Sequence, residues 1–288
     1  MKNAFITGAN IGQANLLTKA LAERGWHVYA GVLPGAPTDL VTSGNITVVE
    51  QDVSKTESVQ ASAAFVTKAL NGQGLDLLMN VAGVANIAVG MVECLDLAQA
   101  ERLFNINLFG QIRVVQAFLP LIRQNAPHSR IANYSSGAIL ANPVGAGAYN
   151  MTKHAIHGMT MTLRLELAPF GIQVTSIIPG GVLTAMSANA HENTKKTWVM
   201  QPEAIRKVYE PFLGPVMMKV LPDMLEKSGS TPEQALAGTL VILDKKKWKP
   251  MEYLGKDVKP MGVMRRLLSD SQLESMMRSA FKIPSYKA

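Results

Sequence analysis

The chain has 288 residues, 48% of them hydrophobic and 17% charged, enough to bury a full core and too apolar for a disordered chain. Its single cysteine, Cys94, excludes an intrachain disulfide and fits a reducing compartment, so a cytoplasmic location is expected. The net charge of +7 is uneven: residues 1–190 carry 11 basic and 10 acidic groups, residues 191–288 carry 17 and 11.

The first strand-like run, AFIT at residues 4–7, starts so early that no secretion signal is expected. TGANIGQA follows, from Thr7 to Ala14, and then a helical pattern to Arg24 that stops at Gly25. Strand, glycine turn and helix together make a phosphate-binding arrangement. Gly8 permits the turn, Gly12 lets a pyrophosphate approach the backbone, and the helix N-terminus favours negative charge. Residues 27–33 (HVYAGVL) and 46–53 (ITVVEQDV) read as the second and third strands, the latter running past Asp52 to Val53. A helix is expected over Thr56–Leu70, a fourth strand over residues 75–83 (LDLLMNVAG), and one long helix over Leu97–Gln124.

RIANYSS, residues 130–136, is a fifth strand that delivers Ser136 to its C-terminal tip. Tyr149 stands thirteen residues on, and Lys153 four residues beyond that, one helical turn away on the same face. An ammonium beside a phenol favours the phenolate and lowers a pKa that starts near ~10, while a serine hydroxyl can hold a carbonyl or alcohol oxygen. Together they can move a proton at a C–O centre. The helix over Tyr149–Ala168 leads to a sixth strand, residues 172–178, which ends in PGGVLT.

Two uncharged stretches, Leu77–Val92 and Ile131–Thr152, contain Asn and Gly and read as buried sheet-and-site segments, not membrane spans. Residues 187–230, with Pro202, Pro211, Pro215 and Pro222, read as irregular. Thr231-Pro232-Glu233-Gln234 is a capped helix start. That helix runs to about Lys246, where the triplet Lys245–Lys247 suits a helix C-terminus. MEYL at residues 251–254 reads as a seventh strand and Ser269–Phe281 as a last amphipathic helix.

Alternating strands and helices predict a single α/β domain, 1–288, with a doubly wound, mostly parallel, seven-stranded sheet of Rossmann type and helices on both faces. Within it, 1–183 would be the core, 184–230 a substrate lid and 248–288 a C-terminal extension. Right-handed crossovers bring Thr7, Asp52, Asn80, Ser136 and Pro179 to one sheet edge, where ligands bind.

These motifs, in this order, resemble the short-chain dehydrogenases/reductases, in the non-extended subgroup, over residues 3–185. Thr7-Gly8 with Gly12 corresponds to T-G-x-x-x-G-x-G, Asp52-Val53 to an adenine-contacting Asp-Val pair, and Asn80-Val81-Ala82-Gly83 to N-N-A-G. Pro179-Gly180 through Val182 to Thr184 corresponds to P-G-x-V-x-T. Ala14 replaces the third glycine, and Val81 replaces an asparagine. AGVL at residues 30–33 and DVSKTES at residues 52–58 are most similar to the retinol, hydroxysteroid and 3-hydroxybutyrate dehydrogenase branch.

The resemblance implies hydride transfer between a nicotinamide and a secondary alcohol, ketone or other carbonyl. It makes Tyr149 the acid/base, Lys153 its electrostatic partner, Ser136 the holder of the substrate oxygen, and Asn107 the anchor of a water. It places NAD or NADP against Thr7, Gly8, Asn10, Ile11, Gly12, Leu33, Asp52, Val53, Asn80, Ala82, Gly83, Tyr149, Lys153, Pro179, Gly180, Val182 and Thr184. No acid stands at residues 32–35 for a ribose diol, and no Lys or Arg lies between Trp26 and Gln51 for a 2′-phosphate. The missing cation costs a dianion more than the missing acid costs a diol, which favours NAD.

Met186, Trp198, Met200, Tyr209, Phe212, Met217 and Met218 are candidates to line an apolar pocket for a steroid-, retinoid- or aromatic-like substrate. The same fold could instead serve as a catalytically silent dinucleotide-binding regulator, or as a lyase or epimerase. The basic charges are dispersed, so no nucleic acid is expected. Met261–Phe281, with Arg265, Arg266 and Arg278, leaves peripheral membrane contact as an alternative. His154 and His157 have helical spacing but no further ligand in register, so no metal is expected. The family norm is a homodimer or homotetramer, formed through the helices over Arg102–Gln124 and Tyr149–Ala168.

Overall fold

Strand β1 (Asn3–Thr7) is buried along its whole length, because helices cover both faces of the sheet it belongs to. The computed structural model describes residues 1–183 and 190–283. After β1 come α1 (Gly12–Glu23), β2 (His27–Val32), β3 (Ile46–Glu50), α2 (Thr56–Leu70), β4 (Leu77–Asn80), α3 (Leu97–Phe104) and α4 (Gly110–Gln124). Then follow β5 (Arg130–Tyr134), α5 (Ala138–Ala141), α6 (Gly147–Glu166), β6 (Gln173–Pro179), α7 (Ala190–Val199), α8 (Glu203–Pro215) and α9 (Leu221–Ser228). The chain closes with α10 (Pro232–Leu243), β7 (Met251–Leu254), α11 (Val258–Leu267) and α12 (Asp270–Ala280).

The seven strands form one sheet in the order β3-β2-β1-β4-β5-β6-β7, and every neighbouring pair is parallel. The order reverses between β1 and β4, and a ligand crevice opens at such a point. One face is packed by α1 and α10, through Leu17, Leu21, Ala235 and Ile242. The other is packed by α2 and α4, through Val59, Val66, Val114 and Phe118, whose ring lies 4.1 Å from that of Phe5.

Two expectations change. The long helix over Leu97–Gln124 is interrupted by a wide π turn, Asn105–Phe109. Residues 187–230 are not irregular where described: they hold α7, α8, a second π turn at Val216–Val220, and α9. The prolines explain why the sequence misleads. Pro202 caps α8, a position that needs no N–H donor, and Pro222 follows directly on the second π turn within one continuous helical run. Pro211 and Pro215 do lie inside α8, and the wide turn begins directly after Pro215.

These helices fold over the sheet edge, burying Trp198 and Met217 against Met91, with Val144 and Leu213 alongside. His191 Nε2 ties α7 to α9, at 3.3 Å from Asp223 and 3.5 Å from Glu226. The Thr231–Gln234 capping box starts α10 as read from sequence. Helix α11 had no sequence signal. Among the described residues no helix is long and apolar enough to cross a membrane.

Candidate active site

The site is built from loops at the C-terminal ends of the strands. Thr7 ends β1, and its hydroxyl accepts hydrogen bonds from the backbone N–H groups of Val81 and Ala82, each at 3.0 Å. The glycine turn is thereby fastened to the loop after β4. Gly8 has φ 71°, and a Cβ there would stand 2.8 Å from Ala82 Cα, so no other residue fits. Gly12, at φ 67°, opens α1. Ile11 before it makes no side-chain cap and the first turn holds no acid, which leaves the helix N-terminus able to take an anion.

Asn10 does something other than expected. Its carboxamide donates to the carbonyls of Leu33 (3.2 Å) and Ala36 (3.3 Å) and accepts from Leu33 N–H (2.7 Å). It therefore shapes the loop after β2, and its donors are not free for a ribose. Asp52 accepts from the backbone and hydroxyl of Ser54, at 2.9 and 2.7 Å, which orders the turn into α2. Val53 packs where a Cβ on Gly110 would stand, 2.9 Å from its Cγ2, and seats the start of α4.

Asn80 is fully buried at the end of β4. It donates to Asn133 Oδ1 at 2.8 Å, and Asn133 donates to Thr160 at 3.0 Å. Asn80 Oδ1 has no partner among the described residues. Gly83 opens a cradle: a Cβ there would meet Asn107 Oδ1 at 3.2 Å and Lys153 Nζ at 3.8 Å. Asn107 lies within the π turn and is fully buried.

Ser136 follows β5 and Tyr149 opens α6, one turn before Lys153. The Ser136 hydroxyl stands close enough to the Tyr149 phenol to favour its ionised form. Lys153 Nζ lies 5.5 Å from the centre of the Tyr149 ring and donates to Tyr134 O at 3.1 Å. Burial pushes the Tyr149 phenol above its ordinary value, and the Ser136 hydroxyl opposes that rise. Burial also lowers Lys153 to about 8. Burial thus outweighs the effect that the Tyr-x-x-x-Lys spacing was expected to have on the phenol.

Pro179 ends β6, Gly180 N–H donates to Leu254 O at 2.8 Å, and Val182 bridges to Ser230. Thr184 and Met186 lie outside the described residues. The structure thus brings Asn107 and Lys153 to Gly83, with Tyr149 beside Lys153 and Ser136 beside Tyr149. Sequence reasoning missed Val84, Asp257 and Asp39. None of them belongs to a motif, and each acts through a partner distant in sequence.

A model of the short chain dehydrogenase family matches residues 2–195. The chain belongs to this family. Retinol dehydrogenase 7 of Rattus norvegicus is 31% identical over 229 residues, 78% of this chain and 71% of that one. Short-chain dehydrogenase fogD of Aspergillus ruber is 38% identical over 192 residues, covering 65% of this chain and 64% of that one. Human 17-beta-hydroxysteroid dehydrogenase type 6 is 31% identical, covering 72% and 66%.

Among solved structures, a short-chain dehydrogenase from Streptomyces avermitilis superposes with a TM-score of 0.75 at 24% identity, over 96% of this chain and 98% of that one. One from Burkholderia cenocepacia, in complex with NADP, gives 0.72 at 24% identity, over 99% and 100%. Both share the fold.

Proposed function

We propose that this short-chain dehydrogenase is an NAD(P)-dependent oxidoreductase that interconverts a hydrophobic secondary alcohol and its ketone. The observation that carries the proposal is the Lys153 ammonium held 5.5 Å from the centre of the Tyr149 phenol ring, with the Ser136 hydroxyl beside that phenol. The residues fit a dinucleotide. A turn that only glycine allows, a helix N-terminus without cap or acid, the cradle at Gly83 and the orphaned Asn80 Oδ1 lie along one edge. Thr7, Gly8, Ile11, Gly12, Asn80, Ala82, Gly83, Pro179, Gly180 and Val182 would hold it, with Asp52 and Val53 supporting the adenine side. When bound, the dinucleotide supplies or accepts the hydride.

The chain itself positions the substrate and moves the proton. Ser136 holds the substrate oxygen. Tyr149, its phenol raised by burial, keeps a proton at neutral pH to give to a carbonyl oxygen. In alcohol oxidation the Tyr149 phenolate, steadied by the Lys153 ammonium, takes that proton. Asn107 holds the loop that walls the site.

The preference for NAD has support beyond the missing cation. Asp39, on the loop after β2, accepts from Asn15 at 2.8 Å and pairs with Lys19 at 2.6 Å. That loop therefore presents a carboxylate, and the nearby ammonium is already matched. Michaelis constants for the two coenzymes test the preference.

A hydrophobic substrate agrees with Trp198 and Met217, buried beside the site, and with Met217 Cε reaching within 2.5 Å of where a Gly145 Cβ would stand. Met218 and Tyr209 lie at the rim of the same cluster. Met200 and Phe212, 82% and 53% exposed, do not line a pocket here. Retinol and hydroxysteroid dehydrogenases among the relatives point the same way. Exposed Phe109, Met151 and Leu165 suit pairing of α4 and α6 in a homodimer or homotetramer.

A panel of alcohols and ketones, followed at the nicotinamide absorbance, tests the proposal. Turnover of hydrophobic secondary alcohols or ketones is expected, and activity confined to small polar sugars would overturn the substrate class.

A further inference from the structure

The C-terminal extension reaches the site through two consecutive residues. Asp257 precedes α11, and its Oδ2 accepts a hydrogen bond from the backbone N–H of Gly181 at 2.8 Å. The carboxylate fills a notch that three glycines make. A Cβ on Gly180 would collide with both of its oxygens. One on Gly255, itself at φ 125°, would stand 2.5 Å from Oδ1, and one on Gly181 would lie 3.9 Å from Oδ2. Oδ1 is buried and has no hydrogen-bond partner among the described residues.

The next residue, Val258, is buried with Cγ1 2.6 Å from where a Gly137 Cβ would be. Gly137 follows Ser136 and donates to Pro179 O at 2.7 Å. These two residues of the extension therefore touch both the turn that carries Ser136 and the loop that carries Gly180 and Gly181.

A carboxylate with one buried, unpaired oxygen costs stability relative to a fully satisfied or apolar filler. What it provides is a charged acceptor for a backbone N–H on the candidate cofactor loop, and such bonds are the shorter and stronger kind. Gly181 has no side chain that could hold this loop by itself. We propose that Asp257 is a positioning residue: it fixes the Gly180–Gly181 backbone against the Ser136 turn, so that the C-terminal extension sets coenzyme affinity. This rests on the dehydrogenase reading above.

Asp257→Asn keeps an oxygen for Gly181 N–H, and Asp257→Ala removes it. NADH and NADPH are titrated against each full-length protein by calorimetry, and amide exchange at Gly181 is followed without ligand. In Asp257→Ala, the coenzyme Kd and the coenzyme KM are expected to rise about tenfold, the loss of one charge-assisted hydrogen bond. Exchange at Gly181 accelerates, and the substrate KM stays unchanged. Asp257→Asn is expected to restore most of the affinity. Wild-type Kd in Asp257→Ala, or impairment in both variants that simply follows their melting temperatures, would overturn the proposal. If the wild type bound neither dinucleotide, the dehydrogenase reading would fall with it. The amide exchange alone would then show whether Asp257 holds the loop, and unchanged exchange would reject that as well.

Discussion

The carboxamide of Asn107 closes a two-bond ring with the backbone of Val84. Oδ1 accepts from Val84 N–H and Nδ2 donates to Val84 O, both at 2.8 Å. The π turn at Asn105–Phe109 carries this side chain, and wide turns of this kind recur at functional sites. The ring locks the loop after β4 to the helix that walls the site. Removing it in Asn107→Ala strands two backbone groups, at about 1–3 kcal/mol each. A lower melting temperature and weaker dinucleotide binding are expected together. Asn107→Asp puts an acceptor opposite Val84 O and should be as damaging at pH 7. A fully stable Asn107→Asp protein would contradict the ring.

Tyr149→Phe keeps the ring and loses only the hydroxyl. Turnover is expected to fall by about 10²–10⁴-fold, the contribution of a positioned acid/base, with coenzyme Kd unchanged. Because burial raises the phenol, carbonyl reduction should hold a plateau through neutral pH and decline only on the alkaline side. Alcohol oxidation, which needs the phenolate, should climb with pH. Initial rates in both directions across pH check the pair of slopes, and identical profiles would remove Tyr149 from the proton step.

Gly8→Ala tests the turn. The added Cβ meets Ala82 Cα at 2.8 Å, and the backbone is at φ 71°, where an L side chain costs about 1–2 kcal/mol. Thr7 binds the same segment, so the clash pushes directly on the loop after β4. Thermal unfolding should shift downward, and titration with either dinucleotide should show lost affinity. A variant that binds as the wild type does would mean that the turn is not where the dinucleotide sits.

The parallel sheet was readable because strands covered on both faces appear as unbroken apolar runs, as AFI at residues 4–6 and LLM at residues 77–79 do. The candidate catalytic set was readable because Tyr149 and Lys153 are joined by one helical turn. The rest depends on contacts that no local pattern encodes. One extra residue in a wide turn leaves the apolar periodicity of Leu97–Gln124 nearly intact, so the break at Asn107 was invisible. Asp257 meets Gly181 across 76 residues, and Asn10 meets Leu33 across 23, pairings that only the folded sheet creates. In α7–α9 the prolines read as breakers because their places, at a helix start and beside a wide turn, could not be known from composition.

Lys153 carries the last prediction. It is 5% exposed, and burial lowers it to about 8 from an ordinary 10.5. The unfolded chain therefore holds a proton that the folded chain releases between pH 8 and 10.5, and wild-type stability gains from this group as pH rises through that window. Below pH 8 the folded protein keeps a buried ammonium at a cost of about 3 kcal/mol. Lys153→Met removes that cost and gives up the bond to Tyr134 O, worth about 1 kcal/mol. Gln111 Nε2, 3.4 Å from the same carbonyl, remains as a donor. The variant is expected to be more stable than the wild type by about 2 kcal/mol at pH 7 and to lose turnover, the exchange of stability for activity typical of a strained site. The advantage should shrink as pH rises from 8, be gone near pH 9.5 at about 1.4 kcal/mol per pH unit, and reverse by about 1 kcal/mol near pH 10.5. Urea unfolding of both proteins at pH 7 and pH 10 measures it. A Lys153→Met protein less stable than the wild type at pH 7 would show that the folded site solvates its lysine better than this burial allows.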